Sequence, residues 1–447
     1  MSKKYHIHTF GCQMNVHDSE KIAGILSGSG YEETGGTGDA DLIVFNTCSI
    51  REKAEQKFFS ELGRLKHAKK DNPELKIAVA GCIAQQMGET LFKRFPYLDY
   101  VFGPDNIDSV QNWVNNNSLS VSVSCQPSTV IEDNPDYHKK LLPVKREGGA
   151  RAWVSIMYGC DNFCAYCVVP YTRGRERSRP VNDICTEVKT LAKQGIKEIT
   201  LLGQNVNSYG KNLPDNTDFP GLLKTIHEID GIQRIRFVTS HPRDFSSRLI
   251  EAIRDLPKIC EHIHLPVQAG SDRILNLMNR RYTYKEYKDK IDILKNEVPG
   301  ITITTDIIAG FPGETDEDFE LTVRALEEIE YDGIFAFKYS KRPGTKALDL
   351  PCHIDESIKS ERLAIILNLQ EKITYEKNRR LDGEIVEILV EGTSGSDADR
   401  LTGRTRSNKI VNFQGDEKDI GKLIRLKIVK AGMHSLYGEK IFEHSNV

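Results

Sequence analysis

The sequence predicts a multidomain α/β protein. Its parts are a doubly wound α/β N-terminal domain, a partial (β/α)6 TIM-like barrel and a small all-β C-terminal barrel of OB-like kind. Three observations carry this reading. Short apolar runs alternate with helical patterns over the first 118 or so residues; the alternation lapses in a polar stretch and resumes near Ala150; from Gly383 onward only short strands and turn residues remain.

In the first part, residues 5–10, 42–47 and 76–80 read as buried parallel strands, with 18–27, 51–66 and 84–95 as the helices between them. After Trp113 the chain turns polar and carries prolines, so 115–146 reads mainly as a linker with room for one edge strand. Strands are then expected at 152–157, 198–202, 234–239, 262–266, 302–309 and 333–339, with helices between. About six β/α units fall short of the eight of a complete TIM barrel, which favours an open partial barrel. A long charged helix over 355–380 closes this region, and EIVEILVEG, RLTGRTRSN, KIVNF and GKLIRLKIVKA read as the strands of the last barrel. The expected domains are therefore 3–118, a linker at 119–145, 146–377 and 380–443.

Composition narrows the classes of function. The chain has 447 residues, 39% hydrophobic and 28% charged, with a formal charge of −3. That is a globular composition, not a disordered one, and its length suits about three domains of ~150 residues. No apolar run reaches the ~18 residues of a membrane span, and MSKKYHIHTF lacks the apolar block of a secretory signal, so a cytoplasmic protein is expected. Ten Cys are too sparse for a disulfide scaffold. In a reducing compartment, clustered Cys point to metal or redox chemistry. The near-neutral charge excludes a wholesale polycation but leaves room for a local nucleic-acid patch.

Cys160, Cys164 and Cys167 stand in YGCDNFCAYCVVP, a C-x3-C-x2-C group just past the first strand of the central domain. Three thiols within eight residues can close on one metal centre. Structural zinc would want a fourth Cys or His, yet no His lies between His138 and His227, and Cys185 sits in a helical pattern. An iron–sulfur cube held by three thiolates leaves one iron open. This spacing at the top of an α/β barrel is the fingerprint of radical S-adenosylmethionine (SAM) enzymes, whose open iron chelates SAM.

Cys12, Cys48 and Cys82 are 36 and 34 residues apart, yet each follows an apolar strand, in HTFGC, VFNTC and AVAGC. The carboxyl ends of parallel strands share one sheet edge, so these thiols can converge on a second three-thiolate cluster. Cys125, Cys185, Cys260 and Cys352 have no such setting and are assigned no role.

Around the clusters, VVPYTRGRERSRP places Arg173, Arg175, Arg177 and Arg179 at alternate positions, where they could hold nucleic-acid phosphates. Lys139, Lys140, Lys145, Arg146 and Arg151 could extend that patch. Arg400, Arg404, Arg406 and Lys409 cluster on one hairpin of the last barrel, and OB-like barrels often bind RNA. That barrel holds no candidate ligand Cys, so its removal is expected to leave both clusters intact while weakening RNA binding. LLGQNVNSYG, LPVQAGS and DIIAGFPGET each end a strand at one face, nominating Gln204, Asn205, Gln268, Gly310 and Gly313 for a SAM pocket. GFPGET alone also reads as a helix-starting turn capped by Thr315. Ser240 and His241 end a strand too, but without a nucleophile elbow a hydrolase pair is disfavoured.

Together these motifs resemble the methylthiotransferase family over nearly the whole chain, with its three-Cys N-terminal domain, radical SAM core and C-terminal TRAM barrel in this order. TFGCQMN, VVPYTRG and GRTRSNKIVNF look like the branch acting on dimethylallyladenosine in tRNA. Tyr158 and Asp161 depart from the family's more usual acidic residue and Asn. The resemblance implies two 4Fe-4S clusters, on Cys160, Cys164 and Cys167 and on Cys12, Cys48 and Cys82. It implies SAM both as methyl donor and as source of a 5′-deoxyadenosyl radical, with sulfur drawn from the auxiliary cluster. The target C2–H of an adenine is not acidic, so a radical, not a base, is the fitting reagent. Expected partners are tRNA, through an anticodon stem-loop carrying dimethylallyladenosine, and an electron donor such as flavodoxin or ferredoxin, with the chain acting as a monomer. Methylthiolation of threonylcarbamoyladenosine, or of a ribosomal-protein aspartate, stays open at this point, as does a non-catalytic iron–sulfur RNA-binding protein.

Overall fold

The structure, a computed structural model, describes residues 2–49, 52–118, 127–146, 148–395 and 397–441. Cys125, part of the expected linker (119–126) and residues 442–443 lie outside the described residues. The chain divides into two compact units: Met1–Glu147 with Met157–Phe163 and Cys167–Arg179, and Gly148–Ile156 with Cys164–Tyr166 and Pro180–Val447.

The first unit is built on a six-stranded parallel sheet of β1 (Lys3–Thr9), β2 (Tyr31–Glu33), β3 (Leu42–Thr47), β4 (Lys76–Gly81), β5 (Tyr100–Phe102) and β6 (Ser128–Val130), in the order β2-β1-β3-β4-β5-β6. Its helices are α1 (Gln13–Gly28), α2 (Glu52–Asp71), α3 (Cys82–Met87), α4 (Thr90–Arg94) and α5 (Ser109–Ser118). Every residue of β3 is buried, as an apolar run in a parallel sheet covered on both faces requires. Phe45, Phe58, Leu62, Ile77, Val79 and Leu91 form the core beneath one face. The single helix expected over 84–95 is two, α3 and α4, and β2 and β5 are three-residue strands too short for a pattern to reveal. The stretch read mainly as linker is, over 127–146, part of this unit. β6 is its edge strand, Tyr137 is buried, and the Lys145 backbone N–H donates to the Glu20 carbonyl at 2.9 Å.

The chain enters the second unit with β7 (Arg151–Ser155) and returns to the first for β8 (Met157–Tyr158), α6 (Val169–Thr172) and β9 (Arg177–Ser178). The second unit continues with α7 (Val181–Lys193), β10 (Glu198–Leu202), α8 (Phe219–His227), β11 (Arg234–Phe237), α9 (Ser247–Asp255), β12 (His262–His264), α10 (Asp272–Leu277), α11 (Tyr284–Glu297), β13 (Thr302–Ala309), α12 (Asp316–Ile329), β14 (Gly333–Lys338) and α13 (Glu356–Arg379). β7, β10 and β11 pair in parallel, as do β12, β13 and β14, and an isolated parallel bridge pairs Ile235 of β11 with Ile259, just before β12. Six β/α units therefore make the open partial barrel that the alternation predicts. The last barrel is closed, with β15 (Ile385–Thr393), β16 (Leu401–Thr405), β17 (Ile410–Phe413), β18 (Leu423–Ala431) and β19 (Leu436–Lys440) in the order β15-β16-β17-β19-β18. Ile388, Val390, Val411, Phe413 and Leu426 fill it. β19, whose LYGEK offers little apolar alternation, is the strand the sequence hides.

Candidate metal and cofactor sites

In the first unit the three strand-end cysteines converge. Parallel register pairs Thr9 with Asn46, Asn46 with Ala80 and Thr47 with Gly81, so Cys48 and Cys82 leave the sheet side by side and Cys12 three residues past the pairing. Gly11, at φ +123°, has no room for a side chain: a Cβ there would stand 2.3 Å from Cys48 Cβ. At Gly81, φ +87°, an added Cβ would likewise stand 2.4 Å from the Thr47 carbonyl oxygen. Both glycines that precede the triad's cysteines are thus required by close approach. A polar tether holds the ends together. Asn15 Nδ2 donates to Asn46 Oδ1 at 3.1 Å and to the Thr47 carbonyl at 2.9 Å, while Asn46 Nδ2 donates to the Asn15 carbonyl at 2.8 Å. The Cys12 thiol donates to Asn15 Oδ1 at 3.2 Å. A hydrogen bond with Cys48 outweighs burial and, with the charge of Arg173, pulls the Cys12 thiol down to about 6, toward the thiolate an iron would take.

The C-x3-C-x2-C loop leaves β8 and returns by β9. The Cys160 backbone N–H donates to the Gly174 carbonyl at 3.2 Å, and Cys160 and Cys167 count with the first unit. Cys164 counts with the second, where Ala165 is strapped on both sides: its N–H donates to the Met278 carbonyl at 2.9 Å and its carbonyl accepts from Ala347 at 2.8 Å. Ala165 packs there among Ala269, Leu275, Met278 and Phe311. Among the described residues no three His, Cys, Asp or Glu side chains crowd closely enough to hold a single metal ion. Thiolates of a four-iron cube each take a different iron, and three thiols such as Cys12, Cys48 and Cys82 are the donor type such a cluster takes.

At the strand ends of the second unit, buried polar atoms stand without partners: Gln204 Oε1 and Nε2, Asn205 Oδ1, Ser240 Oγ and His241 Nε2. Asn205 is fixed by its Nδ2, which donates to Asp244 at 2.7 Å. His241 Nδ1 accepts from the Arg243 backbone N–H at 3.2 Å, leaving Nε2 to carry the proton, and burial holds the ring neutral. Orphaned donors and acceptors of this kind are costly unless a ligand meets them, and they suit the amino-acid and ribose groups of SAM. Gln268 is buried in the left-handed region, at φ +76°, and its N–H donates to the Asp306 carbonyl. Gly310 donates its N–H to Glu314, which also binds Arg362 at 2.7 Å, and the Gly313 N–H donates to the Cys352 carbonyl. Thr315 caps α12 as the bland reading of GFPGET expects. Ser240 and His241, disfavoured above as a hydrolase pair, carry unpartnered buried atoms at the same strand ends as Gln204 and Asn205, a placement that the sequence shows.

The basic residues correct the expectation of an open phosphate patch. Arg173 is buried and its Nη2 binds Asp18 at 2.8 Å; burial opposes its charge, but Asp18 and the Cys82 and Cys12 thiols outweigh it. Arg177 binds Asp105 at 2.6 Å and Arg179 is buried. Arg175 alone is exposed, in a fork with Asp161 at 2.6 and 3.1 Å. Lys139, Lys140, Lys145, Arg146 and Arg151 pair with Asp136, Asp108, Glu33, Glu20 and Glu391. In the barrel Arg404 binds Glu391 at 3.2 Å, Arg406 binds Glu261 at 2.6 Å and Lys409 faces Asp332; Arg400, half-buried, pairs with Asp397. Alternation in sequence does not say which arginines the fold turns inward. Of the unassigned cysteines, Cys185 and Cys260 are buried, and burial pushes the Cys260 thiol up to about 11; Cys352 is exposed.

Comparison with known proteins agrees with this organisation. The chain matches Uncharacterized protein family UPF0004 over residues 4–103, the Radical SAM superfamily over 154–326 and the TRAM domain over 379–441. Fold and cysteine loop thus have the make-up of a radical SAM enzyme, a class that works with a 4Fe-4S cluster and SAM. The tRNA-2-methylthio-N(6)-dimethylallyladenosine synthase of Thermodesulfovibrio yellowstonii is 55% identical over 436 residues, 98% of either chain. That of Thermoanaerobacter pseudethanolicus is 50% identical over 98% of this chain and 92% of its own. That of Clostridium perfringens is 49% identical over 98% of both. The chain belongs to the family of tRNA-2-methylthio-N(6)-dimethylallyladenosine synthases. Among solved structures, the radical SAM methyltransferase TsrM from Kitasatospora setae aligns with a TM-score of 0.55 at 13% identity, over 88% of this chain and 79% of that one. The cobalamin-dependent SAM radical enzyme OxsB gives 0.52 at 14%, over 84% and 56%. At such identities the likeness concerns the fold alone.

Proposed function

We propose that this chain methylthiolates C2 of N(6)-dimethylallyladenosine next to the anticodon of tRNA, with Cys160, Cys164 and Cys167 holding one 4Fe-4S cluster and Cys12, Cys48 and Cys82 a second. The observation that carries the reading is the convergence of Cys12, Cys48 and Cys82 at one sheet edge, a second thiol triad that a radical SAM enzyme making only a radical would not need. When bound, the first cluster with SAM supplies the hydrogen-abstracting radical and the second supplies sulfur, methylated from another SAM. The protein's own residues do the rest. Asn15 and Asn46 lock the three strand ends, Gly11 and Gly81 let them close, and Arg173 places a buried positive charge beside the triad. Gln204, Asn205, Ser240 and His241 meet the polar groups of SAM with donors and acceptors that otherwise lack partners, and Gln268, Gly310 and Gly313 shape the pocket's remaining strand ends.

In this reading residues 3–118, with 127–145 packed into the same unit, carry the auxiliary cluster, 146–377 form the radical SAM core and 380–443 the tRNA-holding barrel, where Arg400 is free of the core to meet phosphate. Electrons come from a small donor of the flavodoxin or ferredoxin kind, and the chain works as a monomer. The test is turnover of synthetic anticodon stem-loops by reconstituted protein, read by nucleoside mass spectrometry. A loop bearing dimethylallyladenosine should gain a methylthio group, the unmodified loop should react poorly and the threonylcarbamoyl loop not detectably, because a pocket for an apolar prenyl group leaves a buried carboxylate unpaired. Preferential turnover of the threonylcarbamoyl loop would overturn the assignment.

A further inference from the structure

Arg280 is a buried cation with no carboxylate partner among the described residues. Only 4% of it is exposed, and its donors go to four places. Nε reaches Tyr282 Oη at 3.0 Å, Nη2 the Pro266 carbonyl at 2.6 Å, and Nη1 both Tyr166 Oη and Cys164 Sγ, each at 3.4 Å. Tyr282 is held in turn, its Oη donating to the Val267 carbonyl at 2.9 Å, and its ring lies 5.2 Å from the guanidinium. These neighbours fix the fork but bring no negative charge. Buried guanidinium groups are ordinarily compensated by an acid, since an uncompensated buried charge is strongly destabilising. The one group in this set that becomes an anion in the working protein is Cys164, once it takes iron as a thiolate.

The strap that holds the cysteine segment comes from the same stretch of chain. Met278, two residues before Arg280, accepts the Ala165 N–H, so donor and sulfur are positioned by one turn. Asn279 and Arg281, on either side of Arg280, both sit at φ +58°, outside the conformation of a regular helix. A surface arginine would not be expected to demand so much local order.

We infer that Arg280 is a positioning residue for the radical SAM cluster, donating a charge-assisted hydrogen bond to the Cys164 thiolate and thereby making that cluster easier to reduce. The inference rests on the proposal that Cys160, Cys164 and Cys167 hold the cluster. The physics is that of hydrogen bonds to cluster sulfurs and of nearby charge, two levers a protein has on an iron–sulfur potential. Reduction adds one electron to a buried anionic centre. A fixed cation donating to one of its sulfurs stabilises the reduced form more than the oxidised one, so the cluster accepts its electron at a less negative potential. Tyr166, between Cys164 and Cys167, shares the same Nη1 and ties the aromatic residue of the loop to the same fork.

The test is an EPR-monitored redox titration of full-length protein carrying C12A, C48A and C82A, so that only one cluster is present. The same chain with Arg280→Gln should still hold about four irons. Its reduction equilibrium should fall about tenfold, ~59 mV for a one-electron couple. Arg280→Lys keeps the charge but loses the fork, and should fall between. Iron-loaded Arg280→Gln protein with the parent's potential would overturn the inference. So would loss of the cluster from both variants, which would make Arg280 a residue of assembly. A parent chain that binds no iron would instead sink the assignment of the three cysteines, and the inference with it.

Discussion

At the residue scale, Arg173 shows how burial changes the meaning of a side chain. Six residues past Cys167, it ends as the partner of Asp18 on α1, within the unit that holds Cys12, Cys48 and Cys82. Removing one member of a buried pair strands the other's charge, which costs about 3–5 kcal/mol. Lys21, 3.9 Å from Asp18, remains as a second partner, so Arg173→Ala should destabilise the first unit by less than that range, read by denaturant unfolding of iron-free protein. Arg175→Ala, at an exposed pair, should leave the unfolding midpoint unmoved. Gly11 makes a second prediction. A Cβ there would overlap Cys48, so Gly11→Ala should cut reconstituted iron from about eight to about four per chain, measured by iron assay, with the Cys160, Cys164 and Cys167 set still loaded. The pattern of arginines was plain in the sequence, and so were the glycines before Cys12 and Cys82. Which arginines face inward was not, because an alternating basic run looks the same on a solvated loop and on a loop that threads past buried acids.

At the scale of elements, the C-terminal barrel is bound to the core more closely than its lack of ligand cysteines suggests. Arg234 and Arg236 on β11 are buried, and they reach out to the barrel's backbone. Arg234 donates to the Arg404 carbonyl at 2.9 Å and binds Glu387 at 2.8 Å, while Arg236 donates to the Thr405 and Arg406 carbonyls at 2.6 and 2.8 Å. Arg406 answers with Glu261 and the Pro257 and Ile259 carbonyls. Truncation after Arg380 would expose these groups and remove the barrel carbonyls and Glu387, leaving Glu198, 3.0 Å from Arg236 and 4.0 Å from Arg234, as the carboxylate both arginines share. These contacts argue against the expectation of an intact core without the barrel: truncated protein should be insoluble or sharply destabilised, as read by expression and thermal unfolding. A soluble truncate with the full iron content would contradict this. The strands that carry the core were legible because β3, β10 and β13 are mostly apolar or β-branched, each with a single Asn, Glu or Asp. The three-residue strands β2 and β5, and β19 with its central Gly438, were not. Their pairing is set by neighbours in the sheet, which no local pattern encodes.

Across the whole molecule, the account rests on two separate thiol triads doing different work. One is proposed from spacing alone, since C-x3-C-x2-C needs no fold to bring its members near one another in sequence. The other was legible only through the fold class, because Cys12, Cys48 and Cys82 meet by virtue of parallel register, and the Asn15–Asn46 tether that completes the site left no motif to find. The measurement that tests this division most directly is iron content and SAM cleavage in anaerobically reconstituted triple variants. Ala at Cys12, Cys48 and Cys82 should leave about four irons and persistent release of 5′-deoxyadenosine with no methylthio product; Ala at Cys160, Cys164 and Cys167 should also leave about four irons but abolish SAM cleavage. SAM cleavage that survives loss of Cys160, Cys164 and Cys167 would contradict the account.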